Sequence, residues 1–249
     1  MGNTDSKIHI ADKAEAVLLL EQAEYIDQYI TECGDDTANF LARKQSNYYA
    51  TIPKDPVYYR EIFTGYLNRI PKQLRDVGDI TIVSLMSSAD GGMPHTRPPN
   101  IICYPNISTS YTTFLHELCH IHQRKFPVVW NTIFAAIGWR PWNGLLPESL
   151  DNKRRYNPDT IDTPLWIHGS WVPVPIFRDY TNPVLSEVDI WFYNVEGGHS
   201  KTVPDDIVID MLPPSAYEHP REITAYIISD AEKYQGTEVY RMLRQFFTI

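Results

Sequence analysis

Apolar residues recur along this chain with two different periods, and the switch between them marks out most of its elements. Over residues 11–33, Leu19, Ala23, Ile26 and Ile30 share a face at helical spacing. Glu21, Glu24 and Asp27 fall on the other side, so the pattern predicts an amphipathic helix stopped by Gly34. A shorter helix is expected over 37–45. Asp55 and Pro56 open a third, the proline suiting a first helical position, and Tyr59, Ile62, Phe63, Tyr66 and Ile70 carry its inward face on to about Arg75. The period then shortens to two. Residues 79–85 and 100–104 read as strands, with Asp90-Gly91-Gly92 as a turn between them.

Residues 106–110 offer several N-caps, and Phe114, Leu118 and Ile121 then recur as a core stripe, which predicts a buried helix. Beyond it, 130–156 is a loop-rich aromatic stretch holding Trp139 and Trp142. Residues 166–195 read as strands broken by Pro173, Pro175 and Pro183, of which 188–193 is the clearest. A last pair of helices is expected over 221–234, with Pro220 at its start and Ile223, Ile227 and Ile228 inward, and over 238–247. The expected architecture is α+β, one domain over 1–249. It has a flexible N-terminus at 1–10, a helical N-terminal part and a small sheet. A Trp- and Pro-rich insertion at 126–215 precedes the later helices and either selects substrate or pads the core.

Candidate chemistry is concentrated in His116-Glu117-Leu118-Cys119-His120. Histidines four apart on a helix stand one turn above each other, so both imidazoles reach a single ion, and zinc accepts such a pair. Glu117 lies on the neighbouring strip, placed to take a proton from a water on the metal without ligating it. Cys119 falls off the ligand strip and is expected to pack. His122 points away from the same ion, as a core or supporting histidine.

A third ligand is needed. A metzincin would place Gly and His three and six residues beyond the second histidine; Gln123 and Phe126 stand there, which excludes that family. A glutamate from a later helix is the other common solution, and Glu222 is the candidate, with Glu218 and His219 as substitutes. A glutamate at this third helical position could instead cap its own helix.

Here the chain resembles the gluzincin-type metallopeptidases, which pair His-Glu-x-x-His on one helix with Glu-x-x-Ala or a close variant on the next. The resemblance covers the two metal helices, about a quarter of the chain. It implies a zincin-like fold, Zn2+ held by His116, His120 and Glu222, Glu117 as general base, and a peptide or protein substrate laid along a strand edge beside the zinc helix. Pro94, Pro98 and Pro99 would keep part of that edge unpaired. Thermolysin-like members carry an aspartate one turn after the ligand glutamate; Tyr226 stands there, so the support of the first histidine must differ. Tyr226, Tyr217 and His168 are candidate oxyanion donors.

Composition narrows the picture further. With 249 residues, 43% of them hydrophobic, the chain can bury a large core, and sixteen Tyr, six Trp and nineteen Pro suit a loop-rich α+β protein. A net charge of −9 argues against nucleic acid. Three cysteines, Cys33, Cys103 and Cys119, make no disulfide framework, and no apolar run has the length of a signal or a membrane span, so a cytoplasmic, reducing setting is expected. Residues 1–7 fit the N-myristoylation pattern at Gly2. A single acyl chain would give only weak membrane association, in a eukaryotic cytosol or a virus using one. Arg154 to Asp159 are possible polar contributors to a cleft, and His95 and His199 are expected to be exposed in loops. The reading is a zinc-dependent hydrolase, a metallopeptidase. Its rivals are an idle zinc-containing binding module and a structural component of a membrane or virion.

Overall fold

A computed structural model describes residues 7–31 and 38–249; the expectations placed on Gly2, Cys33 and Gly34 lie outside the described residues. The chain opens with β1 (Ile8–Ile10) and α1 (Lys13–Asp27), which Asp12 caps by accepting from the Glu15 N–H at 2.9 Å. Such a cap contributes about 1 kcal/mol. α2 (Ala38–Gln45), α3 (Pro56–Arg69) and the single turn α4 (Lys72–Arg75) follow.

β2 (Ile80–Ser84), β3 (His95–Arg97) and β4 (Ile101–Tyr104) join β1 in a four-stranded sheet of order β1-β2-β4-β3. β1, β2 and β4 are parallel, and β3 is an antiparallel edge. α5 (Tyr111–Lys125) and α6 (Pro127–Ala136) come next. A second sheet follows, a five-stranded antiparallel meander of β5 (Trp139–Trp142), β6 (Leu165–His168), β7 (Trp171–Phe177), β8 (Val188–Asn194) and β9 (His199–Ser200), with the turn α7 (Glu148–Asp151) inside it. α8 (Pro220–Ser229), α9 (Ala231–Tyr234) and α10 (Glu238–Phe246) close the chain.

The fold is α+β with two sheets. One cluster of buried apolar residues runs from Ile80 and Ile82 in the first sheet, through Phe114 and Leu118, to Trp166 and Phe192 in the second. Among the described residues no helix is long and apolar enough to cross a membrane.

Several expectations are corrected. Residues 8–10 are an ordered strand, because Ile8 and Ile10 alternate into the core and pair with Ile80 and Ile82. The helix expected over 55–75 breaks at Ile70. Pro71 offers no N–H and pushes the residue before it into extended geometry, and Ile70 has ψ 137°. The stretch at 130–156 is not mainly loop: Trp130, Ile133 and Phe134 recur at helical spacing as the buried side of α6, and Trp139 begins a strand.

α1 ends at Asp27 and keeps its expected facing at Leu19 and Ala23, but not at its last turn. Ile26 is 59% exposed, while Asp27 turns inward to Arg97, which is 1% exposed. The Arg97 Nε and Nη2 reach the two Asp27 oxygens at 2.6 and 2.7 Å, and Nη2 also reaches Glu24 at 2.9 Å. Pro173 and Pro175 do not interrupt β7. Pro175 turns its carbonyl away from β8, to the Arg155 N–H, so the ladder to β8 needs no N–H from it, and Pro173 has the same facing.

Candidate metal centre

α5 starts where Ser110 accepts from the Thr113 N–H, and it buries Phe114, Leu118 and Ile121 completely against the core. That fixes its rotation and leaves His116 and His120 on a common strip. Their ring centroids are 4.7 Å apart and their Nε2 atoms 3.0 Å apart. Cys119, one position off the strip, is buried and free.

α8 lies along α5. It begins at His219, whose Nδ1 accepts from the Arg221 N–H at 3.0 Å, with Pro220 at the first position and Ile223, Ala225 and Ile227 fully buried. Glu222, at the third position, does not cap its own helix. It reaches His116 Nε2 at 3.3 Å and His120 Nε2 at 3.5 Å. The donor atoms of His116, His120 and Glu222 all lie within 4.8 Å of one another. Neither substitute joins them: Glu218 pairs with Arg155, and His219 is occupied by its helix and by Thr163.

Two residues hold this cluster in register. Gln123 Oε1 accepts from His120 Nδ1 at 2.9 Å, and its amide nitrogen donates to Arg221 O and Thr224 Oγ1 across the helix interface. Nδ1 is thus committed to Gln123, and Nε2 is the nitrogen that faces Glu222. Asn157 donates to Glu222 Oε1 at 3.0 Å. Tyr226 sets its ring edge-on against His116, with centroids 4.8 Å apart, in the place where an aspartate was missing. His122 points away, to Gln73 O and the Trp130 indole.

Sequence reasoning met Gln123 only as the absence of a glycine. Asn157 it met only within the run of possible polar contributors to a cleft, without a role of its own. A polar run, Arg154 to Asp159, between aromatic strands was the available signal for the latter.

The potential here favours positive charge. Burial opposes ionisation of His120, but Glu222 and Asp159 outweigh it and push it up to about 10. Burial likewise opposes the Glu222 carboxylate, and the two imidazoles reverse that and hold it well below the ordinary range. Glu117 goes the other way. Burial, helped by Asp159, pushes its carboxyl well up, and among the described residues its Oε2 has no hydrogen-bond partner.

His116, Glu117, Glu222 and Tyr226 line one cleft of about 450 Å³. The expected insertion supplies part of its wall, through Arg155, Asn157 and Asp159. Three expectations change at this cleft. The edge strand beside α5 is β3, but its Thr96 N–H donates to Asp159 at 2.8 Å and is not free for a peptide. His95 is not exposed in a loop; it lies in β3, 1% exposed, against Tyr48 at 2.7 Å and near Asp90. Of the oxyanion candidates, Tyr226 lines the cleft, while the Tyr217 hydroxyl is engaged by Ile209 and His168 lines a different hollow. His199 is exposed, as expected, but in the edge strand β9 and not in a loop.

Compared with known protein families, curated protein sequences and solved structures, the chain matches none of them.

Proposed function

We propose that the chain is a zinc-dependent hydrolase of the gluzincin type with a zincin-like fold, cleaving peptide bonds. The observation that carries the reading is the meeting of Glu222 with His116 and His120 across two helices, beside a Glu117 carboxyl whose Oε2 has no hydrogen-bond partner among the described residues. The two imidazole nitrogens lie 3.0 Å apart, and each faces its own Glu222 oxygen, Oε2 at 3.3 Å from His116 and Oε1 at 3.5 Å from His120, close enough for the three side chains to converge on one ion. Two imidazoles and one carboxylate form a donor set used by catalytic zinc. A potential strong enough to hold a proton on His120 to about 10 suits a dication.

Zinc at this position would supply a Lewis acid, acidifying a water and polarising the scissile carbonyl. Glu117 accepts the proton of the attacking water and delivers it to the leaving amine; its raised proton affinity and its free oxygen serve both halves of the transfer. Tyr226, at the cleft beside His116, donates to the oxygen that gains charge. Gln123 keeps His120 Nε2 bare for the ion, and Asn157 orients Glu222.

The test joins metal content to activity. Protein purified without added zinc should carry about one zinc per chain by elemental analysis and hydrolyse a peptide library in a chelator-sensitive way. Glu117→Gln should keep the zinc and lower turnover by at least about 100-fold. An unmodified protein that takes up no zinc, or a Glu117→Gln protein of full activity, overturns the reading.

A further inference from the structure

Tyr226 stands one turn after Glu222 on α8, lines the cleft, and sets its ring edge-on against His116 with centroids 4.8 Å apart. That contact holds the ring and leaves the direction of the hydroxyl proton to be set by something else. A phenol hydroxyl both donates and accepts, so the bond it accepts decides where its own proton is spent. The Tyr226 hydroxyl shares a hydrogen bond with the hydroxyl of Ser215, which lines the same cleft.

Ser215 is exposed, but its backbone is held from both sides. Pro213, with φ −68°, and Pro214 precede it, and their rings fix the chain direction into the 3-10 turn Pro214–Glu218. That turn is closed by the Ala216 N–H, which donates to Pro213 O at 3.0 Å. Ala216 and Tyr217, the next two residues, are buried. The Tyr217 hydroxyl accepts from the Ile209 N–H at 2.8 Å and donates to Ile209 O at 3.0 Å, which fastens the irregular segment 201–213 that leads into the turn. The Ser215 hydroxyl is thus presented to the cleft from a fixed turn.

The chemistry of a donating phenol says what such a partner does. As Tyr226 gives a hydrogen bond to the substrate oxygen that gains charge, its own oxygen becomes richer in electrons. A hydroxyl donating to that oxygen stabilises the shift, since hydrogen bonds in a chain polarise one another. It also removes the arrangement in which the phenol proton is spent on Ser215. Both effects grow as charge develops on the substrate, so they lower the barrier and leave the binding of the uncharged ground state alone.

We propose that Ser215 is a positioning residue for Tyr226: its hydroxyl donates to Tyr226 Oη and so turns the phenol proton into the cleft, towards the oxygen that gains charge. The proposal rests on the hydrolase reading, with Tyr226 as its donor, and adds the residue that sets the direction of that donor.

The experiment uses the full-length zinc-loaded protein, a peptide that it cleaves from a library, and the phosphinic analogue of that peptide, whose tetrahedral anion stands in for the charged intermediate. Ser215→Ala should lower kcat by about 3- to 10-fold, with KM and zinc content unchanged, and weaken binding of the analogue by the same factor. Ser215→Thr, which keeps the hydroxyl, should restore both. In a Tyr226→Phe protein, Ser215→Ala should cost nothing further, because the oxygen that Ser215 serves is gone, whereas damage to the turn would cost the same in both backgrounds. Should Ser215→Ala fail to fold, Ser215→Thr against Ser215→Val makes the same comparison. Full kcat in Ser215→Ala, or an undiminished loss in the Tyr226→Phe background, overturns the positioning and leaves the hydrolase standing. No cleavage of any library peptide by the zinc-loaded parent overturns both.

Discussion

Gln123 and His120 are joined by a hydrogen bond of 2.9 Å from Nδ1 to Oε1, deep in the interface between α5 and α8, and both side chains are 0% exposed. The same amide bonds Arg221 O and Thr224 Oγ1, each at 3.0 Å, so one residue sets both the orientation of the imidazole and the spacing of the two helices that carry the candidate metal donors.

Gln123→Ala should therefore weaken zinc binding by about 10- to 100-fold. It should also cost about 1–3 kcal/mol of stability, because a buried N–H is left bare. Competition against a chromogenic chelator measures the first effect and urea unfolding the second. Unchanged zinc affinity would remove Gln123 from the support of the site.

Arg97 joins α1 to the edge strand β3 through Asp27 and Glu24, with Asp27 almost fully buried. Removing one member of a buried ion pair strands the other, so Arg97→Ala should destabilise the fold by about 3–5 kcal/mol. Urea denaturation gives the value. Pairing Arg97→Met with Asp27→Leu should recover most of the loss, and failure to recover would show that packing around the guanidinium, not its charge, is what the fold needs.

Acid should destabilise the protein before its carboxylates titrate. Burial, with the Arg221 charge beside it, pulls His219 down to about 3, and burial pulls His122 down to about 4. Both protonate near about 6.5 in the unfolded chain. Between those limits the unfolded state holds more protons, so the stability these two neutral histidines contribute is complete above about pH 6.5. It falls with decreasing pH, by up to about 1.4 kcal/mol per unit for each histidine, until the folded values are reached. His219→Asn keeps an acceptor at the N-cap of α8 and removes one titration. Unfolding free energies at pH 7.5, 6 and 5 should show a shallower decline for this variant than for the parent protein.

Much of this architecture is present in local pattern. The stripe of Phe114, Leu118 and Ile121, the capping serine and the four-residue histidine spacing define α5 and its metal strip without reference to the rest of the chain. Pro220 with its isoleucines does the same for α8. These features repeat every turn or every second residue, and the backbone period alone decides where they point.

What the sequence by itself determined is thus the elements with a clear period and the His116–His120 pair; that Glu222, and not Glu218 or His219, meets the pair was decided by the tertiary structure. Tertiary structure decided which polar groups turn inward. Arg97 holds Asp27 inward at the end of α1, where the apolar pattern put Ile26. Pro173 and Pro175 stayed within a strand because their missing N–H groups are not needed on the β8 side. Asn157 came to Glu222, and Arg155 to Glu218, from a segment more than sixty residues back along the chain. Each outcome rests on pairing a buried charge or amide with a partner far along the chain, and such pairing leaves no period in the sequence.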